Sequence, residues 1–230
     1  MKSIIKTAGT FDQVLASCKS IGERYQPQAP TLSITALSVL SQRSNEKLKA
    51  VIDATSAYSL AVNNRRDAFA DLDKLSVRVV RILASVTKSK EHMRDASNLK
   101  NILMGKTISA KAAPTVNSEA IAEGRAPSRN HYLKRMVTFE KLVKIVEDIG
   151  NYEPNERHLT IRALKGKLAD LKAKSAAVAD AKIALMKATS ERDEVIFGEG
   201  GVVQTVKAVK DYIRGAFGSS SAELYRMKVD

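Results

Sequence analysis

Two stretches of this chain repeat each other position by position, and no other feature constrains the fold as much. Phe11, Val14, Leu15, Ile21, Gly22, Tyr25, Pro27, Leu32, Ser33, Ile34 and Leu37 recur as Phe139, Leu142, Val143, Ile149, Gly150, Tyr152, Pro154, Leu159, Thr160, Ile161 and Leu164. The offset is 128 through the glycine and 127 from the tyrosine onward, so one residue was gained or lost in the turn between them. A unit copied within one chain implies a pseudo-symmetric architecture. It names no reaction.

The periodicity of the copies is helical. In the second copy Ile161, Leu164, Leu168, Leu171, Ser175, Val178, Lys182, Leu185, Thr189, Arg192 and Ile196 alternate spacings of three and four. In the first, Ile34, Leu37, Ser41, Ser44, Leu48, Val51, Thr55, Tyr58, Val62, Arg65 and Phe69 do the same. Such a seam is the signature of a long helix packed along one side. A helix from about residue 157 to about residue 197 would run about 60 Å at 1.5 Å per residue. The narrow seam predicts a long antiparallel pair inside a bundle.

Around this helix each copy adds shorter ones. Phe11 to Ile21 and Phe139 to Ile149 carry a first helix, ended by Gly22 or Gly150 and a Tyr-x-Pro turn that cannot remain helical. A third helix follows Gly198, Gly200 and Gly201 in the second copy. In the first copy only Asp71 and Asp73 mark the break, so a bend is expected there. Each copy then closes on a short helical tail. Residues 105–130, punctuated by Gly105, Pro114, Gly124 and Pro127, read as a connector with at most one helical turn near Ser118–Glu123. The chain thus divides as 1–104, a helical unit; 105–130, a linker; and 131–230, a second helical unit. The expected fold is all-α: an elongated helical bundle of two tandem pseudo-symmetric three-helix units with long, coiled-coil-like helices.

Composition agrees with a bundle. Of 230 residues, 44% are hydrophobic but only 5% aromatic, with no Trp, as when Ala and Leu fill helix seams. The net charge is +13, of which residues 1–114 carry +9 and residues 115–230 carry +4. That balance favours anionic partners, although no basic run exceeds two residues. Cys18 is the single cysteine, which excludes an internal disulfide and a cysteine metal site. It aligns with Val146 and reads as a small buried hydrophobe. No signal-peptide pattern and no apolar run of membrane-spanning length is present, so a cytoplasmic location is expected, with export by a signal-less route left open.

Motifs for chemistry are missing. His92, His131 and His158 lie in different segments with no ligand partner at metal-binding spacing. Gly198-Glu199-Gly200-Gly201 lacks the strand and the Gly-Lys-Ser/Thr of a phosphate loop, and reads as a helix–helix turn. No nucleophile has a base at motif spacing. The reading is therefore a non-enzyme without a cofactor. Arg65 and Arg192 recur in the seam, each followed within two residues by an aspartate, Asp67 or Asp193. A repeated ion pair is one reading and a plain surface pair the favoured one. Arg65, Arg66, Lys74, Arg78, Arg81 and Lys88 are the candidate contacts for an anion or nucleic acid, with Lys74, Arg78 and Arg81 sharing one helix face. Leu224, Tyr225 and Met227 are candidate assembly contacts, with capping of their own bundle the favoured role.

The run Tyr152-Glu153-Pro154-Asn155-Glu156, then Leu159-Thr160-Ile161, Leu164, Leu168 and Leu171, resembles a family of uncharacterised bacterial all-helical proteins with an internal duplication. So does Val209-Lys210-Asp211-Tyr212-Ile213 with Phe217-Gly218 and Ser221. The first copy lacks the Phe-Gly-x-x-Ser element. The resemblance implies fold and repetition and carries no activity. The expected function is a structural or scaffolding protein that self-associates, into filaments or other assemblies, or binds a protein partner. The alternative is a basic, non-sequence-specific nucleic-acid-binding protein.

Overall fold

The computed structural model describes residues 2–105 and 129–227, with side chains from 7 to 105 and from 131 to 227. Among these residues the structure is all-α, without a strand. The helices are α1 (Lys2–Ile21), α2 (Ile34–Ala70), α3 (Leu72–Val86), α4 (Lys90–Leu103), α5 (Arg129–Asp148), α6 (Ile161–Phe197), α7 (Val202–Phe217) and α8 (Ala222–Arg226). Short 3₁₀ turns at Gly22–Arg24, Pro30–Leu32 and Arg157–Leu159 lead into the long helices. The connector near Ser118–Glu123 lies outside the described residues. Helix α5 already runs from Arg129, ten residues ahead of Phe139, so the stretch read as linker is shorter at that end.

The duplication is legible in local structure. Helices α2 and α6 are each 37 residues long. Each begins on a hydroxyl cap: Ser33 Oγ accepts from the Ala36 amide at 3.2 Å, and Thr160 Oγ1 from the Ala163 amide at 3.3 Å. Such caps satisfy donors that the first helical turn leaves orphaned. The later caps match too, with Ser89 Oγ accepting from His92 N and Ser221 Oγ from Leu224 N. Of the two heptad seams, every position is buried or half-buried except Lys182, whose long side chain stands in solvent.

The copies diverge at the next break. One residue, Asp71, separates α2 from α3, whereas Gly198 to Gly201 separate α6 from α7. Gly200 sits at φ 67°, and a Cβ on Gly201 would meet the Val195 carbonyl oxygen at 2.7 Å. The turn therefore needs glycine for both conformation and space. It shifts the repeat offset from 127 to 130, because Val202 takes the place of Leu72.

The compact units cut across the copies. One comprises residues 1–58 and 181–230, the other residues 59–180. The first unit holds α1, the first part of α2, the second part of α6, α7 and α8. The second holds α5, the first part of α6, the second part of α2, α3 and α4. The physical reason is length. A 37-residue helix spans about 55 Å, whereas a compact 100-residue body has a radius near 13 Å. A helix of that length leaves any single small core, so each long helix contributes its two parts to different units.

Each unit has its own core. In the first, Phe11, Val14, Cys18, Leu37, Ile196, Val202, Val209, Ile213 and Met227 are the innermost apolar groups. In the second, Phe69, Leu72, Val79, Leu83, Phe139, Leu142, Val146, Leu164 and Leu171 take that place. Phe11 and Phe139, and Leu37 and Leu164, are equivalent pairs, all fully buried. Cys18 is fully buried, and burial raises its thiol pKa, as its alignment with Val146 implied. In the first unit Lys47 Nζ meets Glu191 Oε2 at 2.6 Å between α2 and α6, and this pairing holds the Glu191 carboxyl below its ordinary range.

Phe11→Ala and Phe139→Ala should each lower stability by about 3–5 kcal/mol through the lost burial and the cavity left behind. Ser33→Ala and Thr160→Ala should each cost about 1 kcal/mol. Urea titration followed by far-UV circular dichroism checks both, and near-equal losses within each pair are expected if the two caps and the two phenylalanines do equivalent jobs.

Candidate interaction surfaces

Three features of the described residues stand out beyond the cores. The first is the outer face of α3. Leu72, Ser76, Val79, Val80 and Leu83 are buried on one side, and Lys74, Arg78 and Arg81 are exposed on the other. The common face expected from their spacing is present. None of the three makes an ion pair among the described residues. Lys88 is exposed beyond the helix end.

The second is a cation–aromatic cluster in the second unit. The Arg65 guanidinium carbon lies 4.2 Å from the Tyr132 ring centre, and Tyr132 packs edge-on against Phe69 at 4.9 Å. Arg135 lies 5.9 Å from the Phe69 ring and donates through Nη2 to Asp73 Oδ1 at 2.5 Å. Arg65 is half-buried; its Nε is shielded from solvent and has no hydrogen-bond partner among the described residues. Burial, and then the Arg135 charge, pull the neighbouring His131 imidazole below its ordinary pKa. Arg135 and Asp73 escaped sequence reasoning because they lie 62 residues apart and in different copies.

The repeated arginine does not make a repeated ion pair. Arg192, 7% exposed, donates Nε and Nη2 to Asp193 Oδ1 at 3.0 and 2.6 Å. At the position equivalent to Asp193 the first copy has Arg66. Asp67 lies 3.8 Å from Arg66, and Arg65 makes no ion pair among the described residues.

The third feature is an apolar groove between α4 and α5. Two adjoining depressions of about 570 and 410 Å³ share Leu99, Val137 and Lys141. Ile102 and Leu133 extend the floor one way and Ile145 the other. Leu133 is 52% and Val137 39% exposed. Lys134 and Lys141 stand on the α5 rim without an ion pair among the described residues, while Glu140 is held by Lys172 at 2.7 Å. The lining residues are not repeated in sequence: at the equivalent α1 positions the chain has Ile5, Gly9, Gln13 and Ser17. Its signal in the sequence is the four-residue spacing of Leu133, Val137, Lys141 and Ile145, which falls partly ahead of the segment read as helical.

The tail residues divide. Leu224 is 7% exposed and Met227 fully buried, so both belong to the core of the first unit and are not available for assembly. They pack there because α8 lies against α1 and α7. Tyr225 alone, 74% exposed, faces solvent. Among the described residues no group of three or more metal-ligating side chains comes together, His92 and His158 are exposed, and Gly198 to Gly201 form the helix–helix turn. Among the described residues no helix is long and apolar enough to cross a membrane. Compared with models of protein families, with curated proteins and with solved structures, the chain matches none.

The equivalent tyrosines behave differently and can be tested. Tyr25 Oη donates to the Leu32 carbonyl at 2.8 Å, whereas the buried Tyr152 hydroxyl has no hydrogen-bond partner among the described residues. Burial pushes the Tyr152 phenol up to about 12 and raises that of Tyr25 as well. A raised folded-state pKa means that the folded chain binds more protons than the unfolded one above pH 10. Stability is then fully present below pH 10 and falls as the pH rises towards 12. Tyr152→Phe should remove its share of this alkaline loss and leave stability at pH 7 unchanged or raised, while Tyr25→Phe should cost about 1 kcal/mol through its hydrogen bond. Urea midpoints measured from pH 7 to pH 12 test both.

Proposed function

We propose that this chain is a non-enzymatic scaffolding protein that acts by association with further copies of itself. The observation that carries the reading is the open α4–α5 groove, whose apolar floor is left in water by a protein that otherwise buries its seams. Contiguous exposed apolar surface of this kind marks contact sites in soluble proteins. The occupant that fits is a second copy. Ile183 and Met186 of α6, 65% and 63% exposed, stand three residues apart and so form a short apolar ridge on one helix face. A ridge on one copy meeting a groove on the next is a heterologous contact, and such contacts make rings or filaments.

Charge sets the conditions. Copies carrying +13 repel each other at low salt, and a Debye length near 10 Å at 0.1 M salt screens that repulsion. Association should therefore strengthen as salt rises. Size-exclusion chromatography with light scattering over a hundredfold concentration range is the direct test. Mass should grow with concentration, more so at high salt. Val137→Asp and Met186→Asp, both at exposed positions, should each hold the protein monomeric without loss of helicity. A wild-type chain that stays monomeric at every concentration and salt overturns the reading.

A second reading, non-specific nucleic-acid binding, is favoured by one observation: the uncompensated Lys74, Arg78 and Arg81 on the outer face of α3. It has the opposite salt dependence, since phosphate contacts release counterions and weaken as salt rises. Lys74→Glu with Arg78→Glu should abolish retention on an oligonucleotide while shifting stability by about 0.5 kcal/mol or less. Retention that is unchanged by this variant, or by salt, counts against it.

A further inference from the structure

We infer that the contact between copies is directional: Phe197 anchors it in the depression beside Leu133 of the next copy, and Glu194 pairs there with Lys134. This rests on the self-association reading and names the residues that orient it. The ridge of Ile183 and Met186 does not end with those two. Ser190 and Phe197 continue it, and at 3.6 residues per turn all four lie within about 60° of arc on α6. Phe197 is 54% exposed, although Val195 and Ile196 beside it are buried. Packing within the chain does not account for this stripe. The first copy keeps the buried seam but has Ser56, Ser59 and Ala70 where the second has Ile183, Met186 and Phe197.

Length and charge fit the stripe to the groove in one direction. At 1.5 Å per residue the stripe runs about 21 Å from Ile183 to Phe197, and the groove about 18 Å along α5 from Leu133 to Ile145. An apolar helix face laid in an apolar groove is a common mode of recognition. The depression beside Leu133 is lined by Lys134 and Lys141 and by no carboxylate, whereas the one beside Ile145 also carries Asp95 and Glu140. Glu194 is exposed next to Phe197 and makes no ion pair among the described residues, whereas Lys182 and Lys187 flank Ile183. The Phe197 end of the stripe therefore meets the Leu133 end of the groove, with α6 of one copy antiparallel to α5 of the next. The spacing agrees. Glu194 lies eleven residues from Ile183, and Lys134 eleven from Ile145. On antiparallel helices of equal rise, the ion pair forms where the two isoleucines meet. An aromatic ring brings the largest apolar area of the stripe, and the depression of about 410 Å³ at that end receives it.

Light scattering on the full chain at fixed salt, with circular dichroism to confirm folding, tests this in three steps. Phe197→Asp should weaken association about tenfold or more, the loss of an aromatic anchor. Lys134→Glu lowers the positive charge of each copy, so net repulsion alone predicts stronger association. The pairing with Glu194 predicts weaker association, by about threefold or more, and Glu194→Lys in the same chain should bring it back to within about twofold of wild type. The third step mixes two variants. Val137→Asp keeps the stripe and spoils the groove, and Phe197→Asp does the reverse. Each should be monomeric alone, and together they should form a one-to-one pair that grows no further, because its remaining stripe and groove are both spoiled. A wild-type chain that stays monomeric overturns self-association and this inference with it. A wild type that associates overturns this inference alone if Phe197→Asp associates equally well, if Lys134→Glu strengthens the contact, if Glu194→Lys fails to rescue it, or if the mixture stays monomeric.

Discussion

The structure depends on the continuity of two 37-residue helices whose apolar seams run from end to end. A seam with buried positions towards both ends of a helix of about 55 Å requires partners at both ends. Shorter helices supply them. Around the start of α2 and the end of α6 gather α1, α7 and α8; around the start of α6 and the end of α2 gather α5, α3 and α4. The duplication makes this exchange workable, because each copy brings the same kinds of surface to either core.

Within that frame the copies match in their cores and differ at their surfaces. Phe11 and Phe139, Leu37 and Leu164, and the caps Ser33 and Thr160 remain interchangeable in chemistry and role. The surfaces do not. The α5 face that lines the groove with Leu133, Val137 and Ile145 corresponds to Gly9, Ser17 and the apolar Ile5 on α1. The arginine that Asp193 neutralises in one unit is left with Arg66 beside it in the other. Core positions answer to packing, which both units share. Surface positions answer to whatever approaches from outside, and there the units have diverged.

Much of the helical architecture was legible before any coordinates. The alternation of three and four along Ile161 to Ile196 located α6, and Tyr-x-Pro located the turn before it, because periodicity and proline geometry act within a few residues. The start of α5 at Arg129 was missed, since the repeat match begins only at Phe139 and the segment before it follows a Gly- and Pro-punctuated stretch. The α3 stripe was readable because Lys74, Arg78 and Arg81 lie on one helix. The Arg135–Asp73 pair was not, because its partners come from α5 and α3, in different copies. The tail showed the limit in another way: Leu224 and Met227 have the same chemistry in a core or on a contact surface, and only their packing against the first unit distinguishes the two.

The sequence by itself determined the long helices and their seams, because periodicity is decided by residues within a turn or two of one another, and it showed the duplication directly. The tertiary structure alone decided which halves pack together, that Arg135 meets Asp73, and that α4 and α5 leave an apolar groove open. These depend on side chains brought together from distant parts of the chain, and no local periodicity records which partner a helix face will meet.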